Sequence, residues 1–391
     1  MTMTISPARL GRTAIALACS CFAAASGWAA DDSAAIRAIV DAAVRPIMAE
    51  HALPGMAVAV TVDGKAYTFN YGLASREENI PVGDATMFEL GSVSKPFAAT
   101  LVTYAQALGK LSLDDHPSKF MPELKGSAVD KATLLHLGTY TAGGFPLQFP
   151  DEVSARAMSS YFKNWKPDAA PGTQRRYSNP SLGLFGHLAA LALQSDFADA
   201  MEKQLFPQLG LKHSYIRVPR AAMGDYAWGY SEANKPARVQ PDVLSAPNYG
   251  IVSTATDVMR LVQANMQPGR LQGPLRRAVE GTQVGYFAVG PMVQGLGWEQ
   301  YPYPVALPQL VAGNSSEMSQ KPNPAKAITA LPSAQAILFN KTGSTRGFSN
   351  YVAFVPAKKI GVVMLANKSF PAAPRVAAVH AILEKLAPMV K

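Results

Sequence analysis

Cysteine is almost absent from this chain of 391 residues: only Cys19 and Cys21 occur, and both lie among the first 30. This N-terminal stretch has two arginines, no acidic residue and an apolar run over residues 13–25, which is typical of a secretory signal peptide. We predict a signal peptide over residues 1–29, cleaved after residue 29 or 30. The mature chain then has no thiol, which excludes disulfides, a cysteine nucleophile and a cysteine-ligated zinc site. A periplasmic location suits such a chain.

Long hydrophobic runs are missing as well. The run over residues 13–25 is shorter than the roughly 20 residues that a spanning helix needs, and no later segment is long and charge-free enough, so we expect no membrane span. A lipoprotein acylated at Cys19 or Cys21 is the alternative, but residues 16–18 lack the expected bulky apolar residue three positions upstream. The 36 basic and 27 acidic residues give a charge of +9 without a polybasic run, so we expect no nucleic-acid partner.

Two common hydrolase signatures are also missing. None of the six histidines occurs in a His-x-His or His-Glu-x-x-His pattern, which argues against a zinc hydrolase, and we expect no metal and no cofactor. The Gly-x-Ser-x-Gly turn that presents the usual esterase nucleophile does not occur. Any nucleophile must therefore be sought in another motif.

Hydrophobic periodicity differs between the ends of the chain and its middle. Residues 33–50 place apolar side chains at helical spacing, and the strand-like runs 56–62 and 65–71 are joined by Asp63-Gly64, a hairpin signal. Residues 86–244 are helical and rich in loops. The C-terminal region shows strand-like runs and a final amphipathic helix at 336–340, 348–355, 360–365 and 375–386.

These patterns predict an α/β fold. A mixed, largely antiparallel sheet is formed from both chain ends and flanked by helices, a mostly helical domain is inserted, and the active site lies between them. The sheet domain comprises residues 30–88 and 245–391, and the helical domain comprises residues 89–244. A monomer is the default expectation.

The first motif is Ser92-Val-Ser-Lys95, directly before a helical run that starts at Pro96. This spacing places Ser92 near a helix N-terminus and Lys95 one turn later on the same face. A serine needs an adjacent base to act as a nucleophile, and a lysine kept neutral by burial and cationic neighbours supplies one. A second Ser-x-x-Lys occurs at 160–163, and a capped surface helix explains either copy on its own.

The second motif, Tyr177-Ser-Asn179, is the only Tyr-x-Asn in the chain and follows the turn residues Pro171 and Gly172. Two residues apart in an extended loop, the phenol and the amide point the same way. The phenol can exchange a proton with a serine while the amide holds a substrate carbonyl. A turn with a packed aromatic ring is the alternative explanation.

The third motif is Lys341-Thr342-Gly343, which enters a strand near the C-terminus. On an edge strand beside a cleft, Lys341 supplies positive charge and Gly343 lets a substrate approach the backbone closely. An ordinary strand entry with a solvated lysine is the alternative explanation.

Together and in this order, the three motifs resemble the three-box signature of serine beta-lactamases and penicillin-binding proteins. A second box that begins with tyrosine is similar to that of the class C beta-lactamases, the cephalosporinases. Longer runs extend the resemblance over nearly all of the mature chain, namely Glu-Leu-Gly-Ser-Val-Ser-Lys at 89–95, Thr-Tyr-Thr-Ala-Gly-Gly at 139–144, Leu-Gly-Leu-Phe-Gly at 182–186, Gln-Gly-Leu-Gly-Trp-Glu at 294–299 and Leu-Ala-Asn-Lys at 365–368. The resemblance implies hydrolysis of beta-lactam antibiotics, with cephalosporins preferred, through a serine acyl-enzyme.

The resemblance also implies a role for each motif residue. Ser92 would attack the beta-lactam carbonyl, and Lys95 and Tyr177 would share the general-base work. Tyr177 would then relay the proton to the departing nitrogen, while Lys341 would hold the Tyr177 oxygen and favour its ionised form. The backbone N–H groups of Ser92 and Ser344 would form the oxyanion hole.

Seven residues match substrate-binding positions of the family: Gln148, Asn179, Tyr249, Thr342, Gly343, Asn367 and Arg375. Gln148 and Asn179 would hold the side-chain amide of the substrate, a small beta-lactam, and Tyr249 would line the cleft. Asn367 and Arg375 match positions near the substrate carboxylate, where an arginine fork pairs well with an anion.

Two positions depart from the family pattern. Arg346 stands where Gly or Asn is usual, and Ala372 stands where Asn is common. We expect Arg346 to alter the ranking of anionic cephalosporins, whereas a solvated surface charge is the alternative.

The same boxes serve other acyl transfers, so a D-alanyl-D-alanine peptidase or a serine esterase of this fold stays open. A non-catalytic beta-lactam or peptidoglycan sensor that remains acylated is a third reading. The longer runs and Gln148 favour the lactamase over the peptidase and esterase. Tyr177 argues against the sensor, because it offers a route to deacylation.

Overall fold

The computed structural model of the chain describes residues 1–4, 20–329 and 336–390. Part of the predicted signal peptide lies outside these residues, as do Cys19 and the side chain of Cys21. No helix among the described residues has both the length and the apolar character needed to cross a membrane.

The centre of the fold is a ten-stranded sheet in which all neighbouring strands are antiparallel. Its strands are β1 Gly55–Val62, β2 Lys65–Ser75, β3 Ile80–Pro81, β4 Gly285–Val289, β5 Met292–Gly295, β6 Glu299–Pro302, β7 Lys326–Ala327, β8 Ile337–Ser344, β9 Ser349–Val355 and β10 Ile360–Ala366. Their order across the sheet is β7-β4-β5-β6-β8-β9-β10-β1-β2-β3. Because β1 pairs with β10, both chain ends share one sheet, as predicted.

The hairpin between β1 and β2 follows its local sequence. Asp63 and Gly64 both have positive φ angles, 49° and 84°. A two-residue turn of this kind needs left-handed backbone at both positions, which Asp and Gly adopt readily. The predicted hairpin is therefore confirmed, and it fixes the register of Val62 opposite Lys65.

The α-helices are α1 Ser20–Glu50, α2 Ser94–Ala107, α3 Leu134–Gly138, α4 Met158–Asn164, α5 Asn179–Ala192, α6 Phe197–Asp199, α7 Phe206–Gln208, α8 Ser245–Tyr249, α9 Ala255–Met266, α10 Gly273–Thr282, α11 Leu307–Gly313, α12 Ser316–Gln320 and α13 Ala372–Leu386. Alternate residues of β1 face opposite layers. Met56 and Val58 join the core beneath α1 and α13, whereas Ala57 and Ala59 face the core that contains α9. Burial on both faces explains why β1 is apolar throughout.

The predicted α/β fold class is confirmed, with a sheet that is antiparallel throughout. All ten strands of the main sheet lie outside residues 89–244, and that segment is mostly helices and loops. Helices continue beyond it, because α8, α9 and α10 follow, and α10 packs on α2. The exact domain boundaries stay a prediction.

Candidate active site

A cleft of about 620 Å³ opens where β8 meets the turn that precedes α2. Its lining includes ten of the residues predicted from the sequence: Ser92, Gln148, Tyr177, Asn179, Tyr249, Lys341, Thr342, Gly343, Ser344 and Arg375. Lys95 lies directly beside Ser92 and is completely buried. Segments far apart in the sequence thus meet at one place.

A tight contact between two backbone segments positions Ser92. Gly91 has a φ angle of 54°, and a Cβ built on it would lie 2.6 Å from the backbone nitrogen of Ser344. Gly343 approaches the other segment as closely, since its Cβ would lie 2.1 Å from the Leu90 carbonyl oxygen. Only glycine allows this approach. The two glycines bring the Ser92 turn, Gly91–Val93, against the end of β8.

Lys95 points its amino group at the Ser92 hydroxyl, as the spacing predicts. Nζ lies 3.0 Å from Ser92 Oγ, 2.7 Å from Asn179 Oδ1 and 2.9 Å from the Asn248 carbonyl oxygen. A neutral amine can donate its two N–H groups to the amide and carbonyl oxygens and direct its lone pair at the serine proton. Burial, reinforced by the charge of Lys341, lowers the pKa of Lys95 to about 8.

Two lysine amino groups lie close to the Tyr177 ring. The Nζ atoms of Lys95 and Lys341 are 5.1 Å and 5.0 Å from its centroid. Its hydroxyl oxygen is buried and has no hydrogen-bond partner among the described residues. Burial raises the pKa of this phenol, but the charges of Lys341 and Lys95 oppose burial and bring the pKa down to about 8. Ser92 is close enough to lower the pKa of this phenol, so the oxygen is placed where it can exchange protons with the serine or a bound substrate.

The predicted edge position of Lys341 needs a correction. β8 is an internal strand between β6 and β9, so the strand as a whole is not at an edge. Its pairing with β6 ends at Asn340, opposite Glu299, and from Lys341 to Ser344 it pairs with β9 alone. The free side of this last stretch belongs to the cleft wall.

The sequence did not predict the ionic network behind Tyr177. Arg175 donates to Gln294 Oε1 at 2.7 Å and to Glu299 Oε1 at 3.2 Å. Lys341 Nζ lies 3.5 Å from the same carboxylate oxygen, and all three charged side chains are buried. The sequence does contain a signal for this network. Arg175 precedes Tyr177 by two residues, and Glu299 ends one of the family-like runs.

Two amide side chains line the cleft together. Asn179 begins α5, its Oδ1 accepts from Lys95, and its Nδ2 donates to Gln148 Oε1 at 2.8 Å. Gln148 is exposed, and its own amide NH2 makes no bond to another described residue. Tyr249 is half-buried at the same end of the cleft, and burial followed by the charge of Asp242 raises the pKa of its phenol.

Arg375 lies in the cleft wall but uses most of its donors on the protein. Its guanidinium donates to the carbonyl oxygens of Gly343 at 2.8 Å and Asn350 at 3.2 Å, and to Ser344 Oγ at 2.8 Å. Only 4% of the residue is exposed, and burial lowers the pKa of its guanidinium to about 10. Arg375 therefore holds the end of β8 in place and adds positive potential to the cleft.

The structure places Asn367 away from the cleft, contrary to the prediction. Its Oδ1 accepts from the Gly55 backbone N–H at 2.8 Å, and its Nδ2 donates to the carbonyl oxygens of Leu73 and Trp228 at 3.0 Å each. The side chain is fully buried. Its polar atoms join three backbone segments, so none is left for a substrate carboxylate.

The two departures from the family pattern occupy different places. Ala372 lines the cleft near Arg375, whereas Arg346 is exposed in a neighbouring lobe. Within residues 1–4, 20–329 and 336–390, no group of three or more His, Cys, Asp or Glu side chains is placed to hold a metal ion.

Comparison with known proteins gives consistent matches. Residues 40–387 match the family model described as Beta-lactamase. A beta-lactamase from Pseudomonas fluorescens is 51% identical over 90% of this chain and 99% of its own length. Among solved structures, a class C beta-lactamase in complex with cefoxitin has a TM-score of 0.87 and 46% identity, covering 90% of this chain and 99% of that one. A D-alanine carboxypeptidase from Burkholderia cenocepacia has a TM-score of 0.86 and 48% identity, covering 91% and 99%.

Proposed function

This chain belongs to the beta-lactamase family and is a serine beta-lactamase that resembles the class C enzymes, and from that premise we propose that Ser92 is its nucleophile. The resemblance inferred from the three motifs is thereby confirmed. Cephalosporins, the preferred substrates of such enzymes, would be opened through an ester between the Ser92 oxygen and the carbonyl carbon of the beta-lactam ring.

One observation carries the assignment of roles. Lys95 Nζ lies 3.0 Å from Ser92 Oγ, is fully buried, and has a pKa lowered to about 8. A nucleophilic serine requires a base within hydrogen-bond reach whose pKa lies near the working pH. Lys95 meets both requirements. It takes the Ser92 proton as the Oγ–C bond forms.

Tyr177 completes the proton path. Its oxygen has no fixed partner among the described residues, and the positive charge of Lys341 favours its ionised form while Lys95 acts as the neutral base. Tyr177 shares the base work with Lys95, because the proton taken from Ser92 passes through Lys95 to the phenolate, which gives it to the ring nitrogen as the C–N bond breaks. Water subsequently attacks the ester. Tyr177 accepts the water proton and passes it to Ser92 Oγ as the ester bond breaks, and the free acid leaves the cleft.

Negative charge develops on the carbonyl oxygen during both steps. We assign its stabilisation to the backbone N–H groups of Ser92 and Ser344, which belong to the two segments that Gly91 and Gly343 bring together. Gln148 and Asn179 bind the side-chain amide, with Tyr249, Thr342 and Gly343 lining the cleft. Arg375 attracts the substrate carboxylate through its charge while it supports Ser344.

The deciding experiment measures hydrolysis of a chromogenic cephalosporin by the mature protein. The controls are the Ser92→Ala variant and the wild type in the presence of a chelator. Sustained turnover that requires Ser92 and is insensitive to the chelator is the expected result. A single stoichiometric burst, with a stable mass increase on Ser92, would point to a peptidase or a sensor instead. No acylation at all would leave the esterase.

A D-alanine carboxypeptidase activity is the second candidate, because a protein with that description matches over nearly its whole length at 48% identity. Release of D-alanine from a peptide ending in D-Ala-D-Ala uses the same acyl-enzyme on Ser92. Turnover of this peptide at a rate similar to that of the cephalosporin would favour this reading.

We also propose export to the periplasm, with cleavage after residue 29 or 30, and action as a monomer. Support comes from the signal-like pattern of the first 30 residues. Of the described side chains of α1, the first that is buried is Ile36, well after the proposed cleavage site. Mass spectrometry of the periplasmic protein gives the new N-terminus, and sedimentation gives the oligomeric state.

A further inference from the structure

The cleft continues past Ser344 into a second lobe of about 420 Å³. The lobe shares four residues with the Ser92 cleft: Gln148, Asn179, Tyr249 and Ser344. Three charged side chains also line it, namely Asp151, Asp242 and Arg346, and we call it the charged lobe. Any group that extends from an amide held by Gln148 and Asn179 toward Arg346 enters this lobe.

The three charges are available to a ligand. All three residues are exposed, and none forms an ion pair with another residue in the described parts of the chain. Asp242 is nevertheless held in place, because its Oδ1 accepts from Val243 N–H at 2.7 Å and its own N–H donates to Ser245 Oγ at 3.0 Å. Its second carboxylate oxygen keeps its acceptor capacity.

We propose that the charged lobe selects beta-lactams whose acyl side chain ends in an α-amino acid, with Arg346 binding the carboxylate and Asp242 the ammonium group. This inference rests on the proposed function, because the side chain reaches the lobe only when its amide lies between Gln148 and Asn179. A guanidinium pairs with a carboxylate through two parallel hydrogen bonds. An ammonium group finds its counter-charge at Asp242, with Asp151 adding to the potential.

A side chain with a carboxylate alone fits this lobe less well. It gains from Arg346 but meets the like charges of Asp242 and Asp151, and like charges repel. The expectation from the sequence, that Arg346 ranks anionic cephalosporins, is therefore narrowed to zwitterionic ones. Surface charge pairs are individually weak, so the selection amounts to a modest factor rather than an absolute filter.

The test compares three cephalosporins that share the 3-acetoxymethyl ring system and differ in the acyl side chain. The acyl side chain of cephalosporin C ends in an α-amino acid, that of glutaryl-7-aminocephalosporanic acid ends in a carboxylate, and that of cephalothin is uncharged. The readout is kcat/KM for each of the two substrates with a charged side chain, divided by kcat/KM for cephalothin. Arg346→Gln should lower this ratio about fivefold for both charged substrates. Asp242→Asn should lower it for cephalosporin C and raise it for the glutaryl compound.

The opposite signs for Asp242→Asn are the signature of the proposal. Arg270→Gln, an exposed arginine outside the lobe, is the matched control and should leave every ratio unchanged. Thermal unfolding checks that each variant is folded. If the wild type hydrolyses cephalothin but the ratios do not move, or move equally in the control, the charged lobe has no such role. If the wild type hydrolyses none of the three, the proposed function fails and this inference fails with it.

Discussion

The two walls of the cleft each bury a lysine beside Tyr177, but the two lysines have different polar partners. On the helical wall, the acceptors of Lys95 are a hydroxyl, an amide and a backbone carbonyl, none of them a carboxylate. On the strand wall, Lys341 lies 3.5 Å from the buried carboxylate of Glu299. Burial without a counter-ion lowers the pKa of an ammonium group, as it does for Lys95. The difference supports the proposed roles, with proton transfer at Lys95 and an ion pair with Glu299 at Lys341.

The largest effect should come from replacing the titrating lysine. Lys95→Arg keeps a cation in the helical wall but removes the base, because a guanidinium does not lose its proton in proteins. We expect kcat/KM for cephalothin to fall by about 10³-fold, the usual scale of general-base catalysis. Stopped-flow measurement of the acylation step locates the loss.

Lys368→Arg provides the matched control. Lys368 is also buried, but its ammonium group donates to the backbone oxygens of His51 and Ala52, and it does not line the cleft. We expect kcat/KM to stay within about twofold of the wild type. Equal losses in the two variants would show that Lys95 contributes packing rather than base catalysis.

Replacing Lys341 should have a smaller effect on kcat/KM, and the effect should depend on pH. The pKa values of Lys95 and Tyr177 are both lowered to about 8, and catalysis uses their unprotonated forms, so wild-type kcat/KM should rise with pH and level off above about 8. Lys341 lowers both values. Lys341→Met should therefore shift the rising limb up by about one pH unit and, because both groups must be unprotonated, reduce kcat/KM about 100-fold at pH 7. An equal loss at every pH would contradict this role.

Local sequence patterns predicted most helices and strands. The features that they did not predict depend on contacts between residues far apart in the sequence. The hairpin at Asp63-Gly64 and the contact between Ser92 and Lys95 depend on residues close together in the sequence. Both could therefore be predicted from the sequence alone. Arg175 meets Gln294 and Glu299 across more than 100 residues, and no local pattern specifies such a contact. The resemblance to a known family supplied the residues of the cleft as a set, but it did not show which way each side chain points.

Asn367 is the residue whose side-chain direction the resemblance did not show. Its replacement should have the smallest effect on activity. It follows β10 directly, and the family-like run around it suggested a place in the site, yet its side chain joins Gly55, Leu73 and Trp228. Asn367→Ala leaves these buried backbone groups unpaired, so we expect a loss of about 3 kcal/mol in the free energy of unfolding. The folded fraction should keep kcat/KM within about twofold of the wild type.

Asn179→Ala is the counterpart of Asn367→Ala, because it removes the same amide from the cleft, where it contacts Lys95 and Gln148. We expect this variant to lose kcat/KM while unfolding near the wild-type temperature, since its Nδ2 faces a cleft open to water. Thermal unfolding and cephalothin kinetics on both variants give the comparison. A normal unfolding temperature with impaired kinetics for Asn367→Ala would return that residue to the substrate site. We predict the opposite pattern, in which Asn367→Ala loses stability and Asn179→Ala loses activity. The contacts of each amide would then decide whether a buried asparagine serves stability or catalysis.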